Sequence, residues 1–285
     1  VTTTEEAAAP KADVRGQETP SSSGTPARKK SRSRRRLWLQ AIPWIVPLVA
    51  LVVWQLSRSD FLPSPVEVVQ AGVKLAANGE LAEHVWISTR RALIGFAIGG
   101  FIGFALGLLN GVSEVLANLL DTSIQMIRTV PHLALIPLVI VWFGLGEEGK
   151  VFLVALGVAF PIYLNTYNGI RNIDPRLIEM ARVYRLSKTA LFREVIIPGA
   201  MPSILVGVRY ALGIMWMSLI VAETIGSNGG IGYLATQARQ FVQMDIVVLT
   251  IVIYALLGKL SDMIAVFLER RLLRWNPAFR ATPKA

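Results

Sequence analysis

Five ionisable side chains, Arg128, Arg209, Glu223, Lys259 and Asp262, stand inside long apolar stretches of this 285-residue chain. Burying each one in hydrocarbon costs on the order of 3 kcal/mol or more, so each demands a partner or an aqueous neighbour. Lys259 and Asp262 are three residues apart, one helical turn, and can satisfy each other locally. Arg128 and Arg209 lie toward one end of their stretches, where a guanidinium either snorkels to headgroups or lines a vestibule that attracts an anion. Glu223 lies toward the other end of its stretch. With His132, for which a packed, hydrogen-bonded role outweighs a proton relay, Arg128, Arg209 and Glu223 are the candidates for a translocation pathway.

Other chemistry is poorly supplied. There is no cysteine, and His84 and His132 are the two histidines. Disulfides, thiolate nucleophiles and clusters of cysteine or histidine metal ligands are excluded, and no catalytic residue is expected. Gly144, Gly149 and Lys150 imitate a phosphate-binding loop, but Val151 follows where Ser or Thr is needed and no strand precedes it. ATP binding by this chain is therefore not expected.

The elements that must hold these residues are membrane spans. The chain is 53% hydrophobic with a mean hydropathy of +0.51, too apolar for an ordinary soluble domain. Its net charge of +10 comes largely from cations that flank apolar runs, which favours lipid headgroups over nucleic acid as their partner. Residues 1–36, rich in Ser, Thr, Ala and Pro and ending in a basic run, read as a disordered cytoplasmic tail. The stretch Leu37–Leu56, with Trp38, Pro43, Trp44 and Pro47 and no small-residue cleavage site, reads as a first span rather than a signal peptide. Five further spans are expected near Ala92–Leu109, Leu119–Leu145, Val151–Tyr167, Ser203–Ile225 and Ile246–Leu268. Six spans place both termini on one side. Segments 1–36, 170–202 and 269–285 carry 9, 6 and 5 Lys or Arg, against 4, 1 and 1 in segments 57–91, 144–150 and 226–245. Both termini are accordingly assigned to the cytoplasm.

Ser64, Pro65 and Glu67 make an S-x-x-E capping box, predicting a short amphipathic helix outside the membrane that closes near Asn78 and Gly79. Gly95, Gly99, Gly103, Gly107 and Gly111 recur every fourth residue, a groove for close helix packing within the chain or, less favoured, for a dimer seam or moving gate. Pro131, Pro137 and Pro161 are expected to kink their helices. Outer-loop residues Gly144 to Lys150 and Ser227 to Gly232 are candidates for touching an external partner.

Between two spans, residues 170–202 are polar and Arg-rich. Asp174 followed by Pro175 predicts a helix start, and the helix is expected to run to about Phe192, with Glu179 offsetting the dipole's positive end and Pro198 and Pro202 ending the segment. Glu179, Met180, Ala181, Leu191, Val195, Ile197 and Pro198 resemble the cytoplasmic EAA loop of ABC importer permeases. In that family pattern a glycine follows the Glu-Ala-Ala triplet, and here Met180 and Arg185 depart from it. The runs Phe61 to Pro65, Val130 to Pro137 and Trp142 to Gly144 resemble the subfamily importing sulfonates, taurine and nitrate. Phe160 to Thr166 and Arg209 to Trp216 look most like its aliphatic sulfonate permeases.

The resemblance, which covers roughly residues 61–279, implies an all-α integral membrane protein with six transmembrane helices and the type I ABC importer permease fold. It would occupy residues 37–285 and sit in a bacterial inner membrane. It implies a homodimer of permeases, two cytoplasmic ATPase subunits that carry ATP and Mg, and an extracytoplasmic solute-binding protein, with no cofactor in this chain. Glu179, Met180, Ala181, Arg182, Arg185, Leu191 and Pro198 would then couple to the ATPases, and a small anion would cross by alternating access. Taurine, nitrate or another small solute remains an alternative cargo. An ion-coupled secondary transporter is disfavoured because neither a clear internal repeat nor midplane coupling-ion groups stand out.

Overall fold

The computed structural model describes residues 63–275 and, ahead of them, Ile45, Val49 and residues 52–56. The tail of residues 1–36 and most of the first expected span lie outside the described residues. The chain divides into two units, residues 1–52 and 53–285, and the architecture below belongs to the second.

Helix α1 is Pro65–Ala77. Both halves of the capping box form, with Glu67 N–H donating to Ser64 Oγ at 3.3 Å and Ser64 N–H to Glu67 Oε2 at 2.7 Å. The helix stops at Asn78, and Gly79 takes φ +83°, a conformation that costs glycine least. The long helix α2, Glu80–Val112, follows at once. Next come α3, Glu114–Thr129, a 3-10 turn at His132–Leu135, and α4, Ile136–Phe143. The span expected as one run from Leu119 to Leu145 is thus broken, and its two limbs meet at 77°. Pro131 is the cause. It lacks an N–H, and it holds Val130 at φ −74°, ψ 120°, outside the helical region. Pro137 stands in the first turn of α4 and opens a helix instead of kinking one. Pro161 lies inside α5, Glu147–Arg171, without breaking it.

Helix α5 is the centre of the bundle, with α2 on one side and α8, Ile197–Thr224, on the other. The glycine ladder of α2 faces it along its length. A methyl group placed on Gly99 or Gly103 would collide with the backbone of Ala155 or Ala159, and one on Gly107 or Gly111 would stand 2.6 Å from Tyr163 O or 2.9 Å from Ile170 Cβ. The ladder is therefore a seam inside the chain, and the dimer reading of that face is overturned because α5 already occupies it. Helix α8 uses the same device from its side, since a methyl on Gly207 would be 2.6 Å from Asn165 Cβ.

The polar loop departs from the single expected helix. Helix α6 ends early, as Pro175–Val183, and a four-residue helix α7, Lys188–Leu191, leads through a π turn at Phe192–Ile196 into α8. Pro198 and Pro202 do not end the segment. A continuous helical stretch of 37 residues runs from Lys188 to Thr224, and the wide turn ahead of Pro198, closed by Ile197 N–H to Phe192 O, absorbs the bulk of the ring. Helix α9, Ile231–Gln240, and α10, Met244–Leu272, complete the order. Four of these helical stretches are long and apolar enough to cross a membrane, and the bent α3–α4 pair makes up to five.

If the α2–α5 seam is set by backbone approach, Gly103→Ala lowers the thermal unfolding midpoint of the detergent-purified protein by the equivalent of about 2 kcal/mol. Gly213→Ala, inside α8 at a position with nothing within 4 Å, does not lower it and raises it by up to the equivalent of about 1 kcal/mol. Unfolding curves of the two variants side by side read the difference.

Candidate functional sites

Two arrangements stand out, at opposite ends of the bundle. At one end the carboxylate of Glu223, on the last turn of α8, has no exposed side-chain surface. Its Oε1 accepts from Arg91 Nη1 at 2.8 Å, and its Oε2 accepts from Gly232 N–H at 2.9 Å and Tyr254 Oη at 3.1 Å. Ser88 Oγ lies within 2.8 Å of both oxygens and itself accepts from Ile231 N–H at 2.8 Å. The guanidinium of Arg91 continues the chain outward. Its Nε donates to Glu147 Oε2 at 2.6 Å, its Nη2 to Glu147 Oε1, and its Nη1 also to Gly229 O at 2.6 Å. Lys150 Nζ stands 3.9 Å from Glu147 and donates to Leu145 O and Gly146 O. His84 Nδ1 accepts from Gly230 N–H at 3.1 Å.

Two cations thus balance two carboxylates, and every charge has a hydrogen-bonded partner, the condition under which buried ions are tolerated. The network also sorts the helices. It joins the first turn of α5 and the N-terminal halves of α2 and α10 to the end of α8, so these parts lie toward one face of the bundle and the loop bearing α6 lies at the other. Sequence reasoning missed Arg91, Glu147, Ser88 and Tyr254. The signal was the demand that Glu223 have a partner, with Arg91 at the margin of the next apolar run. Gly229, Gly230 and Gly232, expected from the sequence in an outer loop, are packed into this network, and a methyl on Gly232 would stand 2.6 Å from Glu223 Cβ.

At the opposite end, α6 begins with Asp174 accepting from Arg176 N–H at 2.9 Å. It ends in a Schellman motif, with Leu186 N–H bonded to Ala181 O at 3.0 Å and Arg185 N–H to Arg182 O at 2.9 Å. The residue at C′ is Arg185, at φ +54°. The position where the EAA pattern has glycine is therefore the one that must be left-handed, and arginine holds it here at a conformational cost. Ala181 is 1% exposed, whereas Glu179, Arg182 and Arg185 are exposed, as are the apolar Met180, Val183 and Tyr184. Leu191 and Pro198 are half-buried.

The four pathway candidates are not brought together. Glu223 belongs to the network above. Arg209 Nε donates to Asp262 Oδ1 at 2.7 Å, and Arg209 lies 4.0 Å from Glu269 across α8 and α10, so it pairs instead of merely snorkelling. Lys259 reaches Asp262 at 3.3 Å, the local pair that the spacing predicted. His132 Nε2 is 2.9 Å from Ser218 Oγ, beside Gly157, where a methyl would stand 3.0 Å from that nitrogen. Arg128 is exposed on the last turn of α3.

Residues 95–274 match the family model described as binding-protein-dependent transport system inner membrane component. The chain belongs to this family. It is 60% identical over 247 residues to the putative aliphatic sulfonates transport permease protein SsuC of Escherichia coli, covering 85% of this chain and 94% of that protein. It is 42% identical over 266 residues to the protein of the same name from Bacillus subtilis, covering 91% and 96%. Among solved structures, an amino acid ABC transporter crystallised with histidines aligns with 75% of this chain and 99% of its own, at a TM-score of 0.59 and 19% identity, a likeness of fold. The chain is a membrane permease subunit of an ABC importer family. Membership implies separate ATPase subunits and a binding protein as partners.

Two outcomes check these sites. Glu223→Ala leaves Gly232 N–H, Tyr254 Oη and one Arg91 N–H without their buried acceptor and lowers stability by about 3 kcal/mol or more, while Glu223→Gln, which keeps one acceptor oxygen and the side-chain volume, costs less; thermal unfolding of the purified variants measures both. Arg185→Gly relieves the left-handed arginine and slows amide hydrogen exchange in the last turn of α6 by up to about fivefold, equivalent to about 1 kcal/mol.

Proposed function

We propose that this chain is the translocation subunit of an ATP-driven importer of aliphatic sulfonates, acting as a homodimer of six-span, type I permeases with both termini in the cytoplasm. The observation that carries this reading is the identity of 60% across 94% of a protein named for aliphatic sulfonates transport. The geometry of α6 supports the coupling role. Around exposed Glu179 stand Met180, Val183 and Tyr184, at 49%, 80% and 75% exposure, on a helix whose other side is anchored by Ala181. Apolar side chains bared on a polar loop suit a protein partner better than water. Two ATPase subunits, binding ATP and Mg, would each grip one α6 and rock the bundles between inward and outward access. Arg182 and Arg185 would add charge complementary to that partner, with Leu191 and Pro198 holding the loop to α8.

In this mechanism the chain itself hydrolyses nothing. A solute-binding protein delivers the anion to the face holding Arg91 and Glu147. Arg128 and His132 flank the break at Pro131 and are the pathway candidates we retain, since Arg128 is exposed and the His132–Ser218 pair sits at a helix discontinuity. Glu223, with its carboxylate fully enclosed, has no surface to offer a solute.

With the partner subunits in proteoliposomes, Glu179→Arg is expected to reduce ATP-driven sulfonate uptake by at least about tenfold through loss of ATPase binding, because the carboxylate amid the exposed apolar patch is replaced by a longer side chain of opposite charge. Uptake and ATPase co-purification measured together test it, and unimpaired coupling overturns the role. Binding of alkanesulfonates, taurine and nitrate to the cognate solute-binding protein tests the cargo.

A further inference from the structure

Helix α1 has three faces, only one of which the fold uses. Val68, Ala71 and Leu75 are buried in the core cluster. At 100° per residue, Val66, Val69 and Val73 form a separate stripe about 160° round the helix from that face, with exposures of 53%, 64% and 63%. Glu67, Gln70 and Lys74, all exposed, make the third sector, between the valines and the core face. Going round the helix, the order is protein, apolar, polar.

Two helices set the level at which α1 lies. The apolar run of α10 ends at Glu269, Arg270 and Arg271, and a hydrocarbon core of about 30 Å takes about 20 residues at 1.5 Å each. Counting back from Glu269 reaches Leu249. That residue supports α1, because a methyl placed on Gly72 would stand 3.2 Å from Leu249 Cδ1. On α2 the exposed apolar surface from Leu93 to Val112 has a similar length, about 28 Å, and exposed Arg90 and Trp86 stand just beyond it. Trp and Arg at that height mark the headgroup zone.

We propose that α1 is an interfacial helix whose Val66–Val69–Val73 stripe lies against lipid, in the leaflet opposite the loop that bears α6. The core face holds it to the bundle, the valines enter the boundary between headgroups and acyl chains, and Glu67, Gln70 and Lys74 stay in water. Lipid is the occupant because the stripe is apolar, sits at the hydrocarbon boundary and is bordered by a polar sector that a buried protein contact would have to cover.

The chain has no cysteine, so single substitutions give unambiguous labels. Val69→Cys, Val73→Cys, Gln70→Cys and Lys74→Cys, spin-labelled in the full chain in phosphatidylethanolamine/phosphatidylglycerol vesicles, are compared for collision with oxygen and with a water-soluble nickel chelate. The valine positions are expected to favour oxygen over the chelate at least about threefold more than the polar positions do. Equal chelate access at Val69→Cys and Gln70→Cys places the stripe in water and overturns the proposal. Shielding of the valine positions from both reagents also overturns it, in favour of a second copy or another protein on that face.

Discussion

A single buried carboxylate constrains the whole bundle. Glu223 can remain in an apolar interior only if its lone pairs are met, and the groups that meet it come from α2, α10 and the first turn of α9. Arg91 then needs a second anion, which α5 supplies through Glu147. Because breaking such a pair leaves an uncompensated charge, these helix ends are fixed relative to one another far more firmly than apolar packing alone would fix them. The same constraint determines which ends are neighbours, and so separates the network from the loop of α6 by the length of the bundle.

Beneath that cap, the helices are held by backbone proximity. Gly99 and Gly103 bring α2 against the main chain of α5, and Gly207 brings α8 against its other side. Glycine seams of this kind fix distance without directional bonds. The α3–α4 limb is joined differently. It is broken at Pro131, touches the bundle through a modest apolar cluster around Val139, Leu153 and Ala222, and has the His132–Ser218 contact as a polar tie. The limb nearest the discontinuity is therefore the one least tied to the rest.

Much of this was legible in the sequence wherever a residue's own chemistry decides the outcome. Ser64, Pro65 and Glu67 announce α1, the glycine period announces a close seam, and Lys259 with Asp262 announces a local pair. Reading failed where a second element had to be known. The glycine ladder could not name its partner, because periodicity describes one surface only. Arg91 fell just outside an apolar window and was counted as a loop cation, yet it is 4% exposed. Pro198 and Pro202 carry the usual helix-stop signal, but a π turn ahead of them lets the helix continue. Arg185 ends α6 for a reason visible only in its φ angle.

The continuity of the stretch from Lys188 to Thr224 has a mechanical consequence. Its 37 residues correspond to about 55 Å of rise, with one end beside α6 and the other at Glu223. A displacement applied to α6 therefore reaches the Arg91–Glu223 network through one helix rather than through successive side-chain contacts. The π turn at Phe192–Ile196 is the irregular point on that path, where the hydrogen-bond register is already relaxed and bending is cheapest. In the coupling proposed above, force delivered below this turn would redirect the helix, while the enclosed carboxylate at its far end would hold the opposite face of the bundle together as one piece.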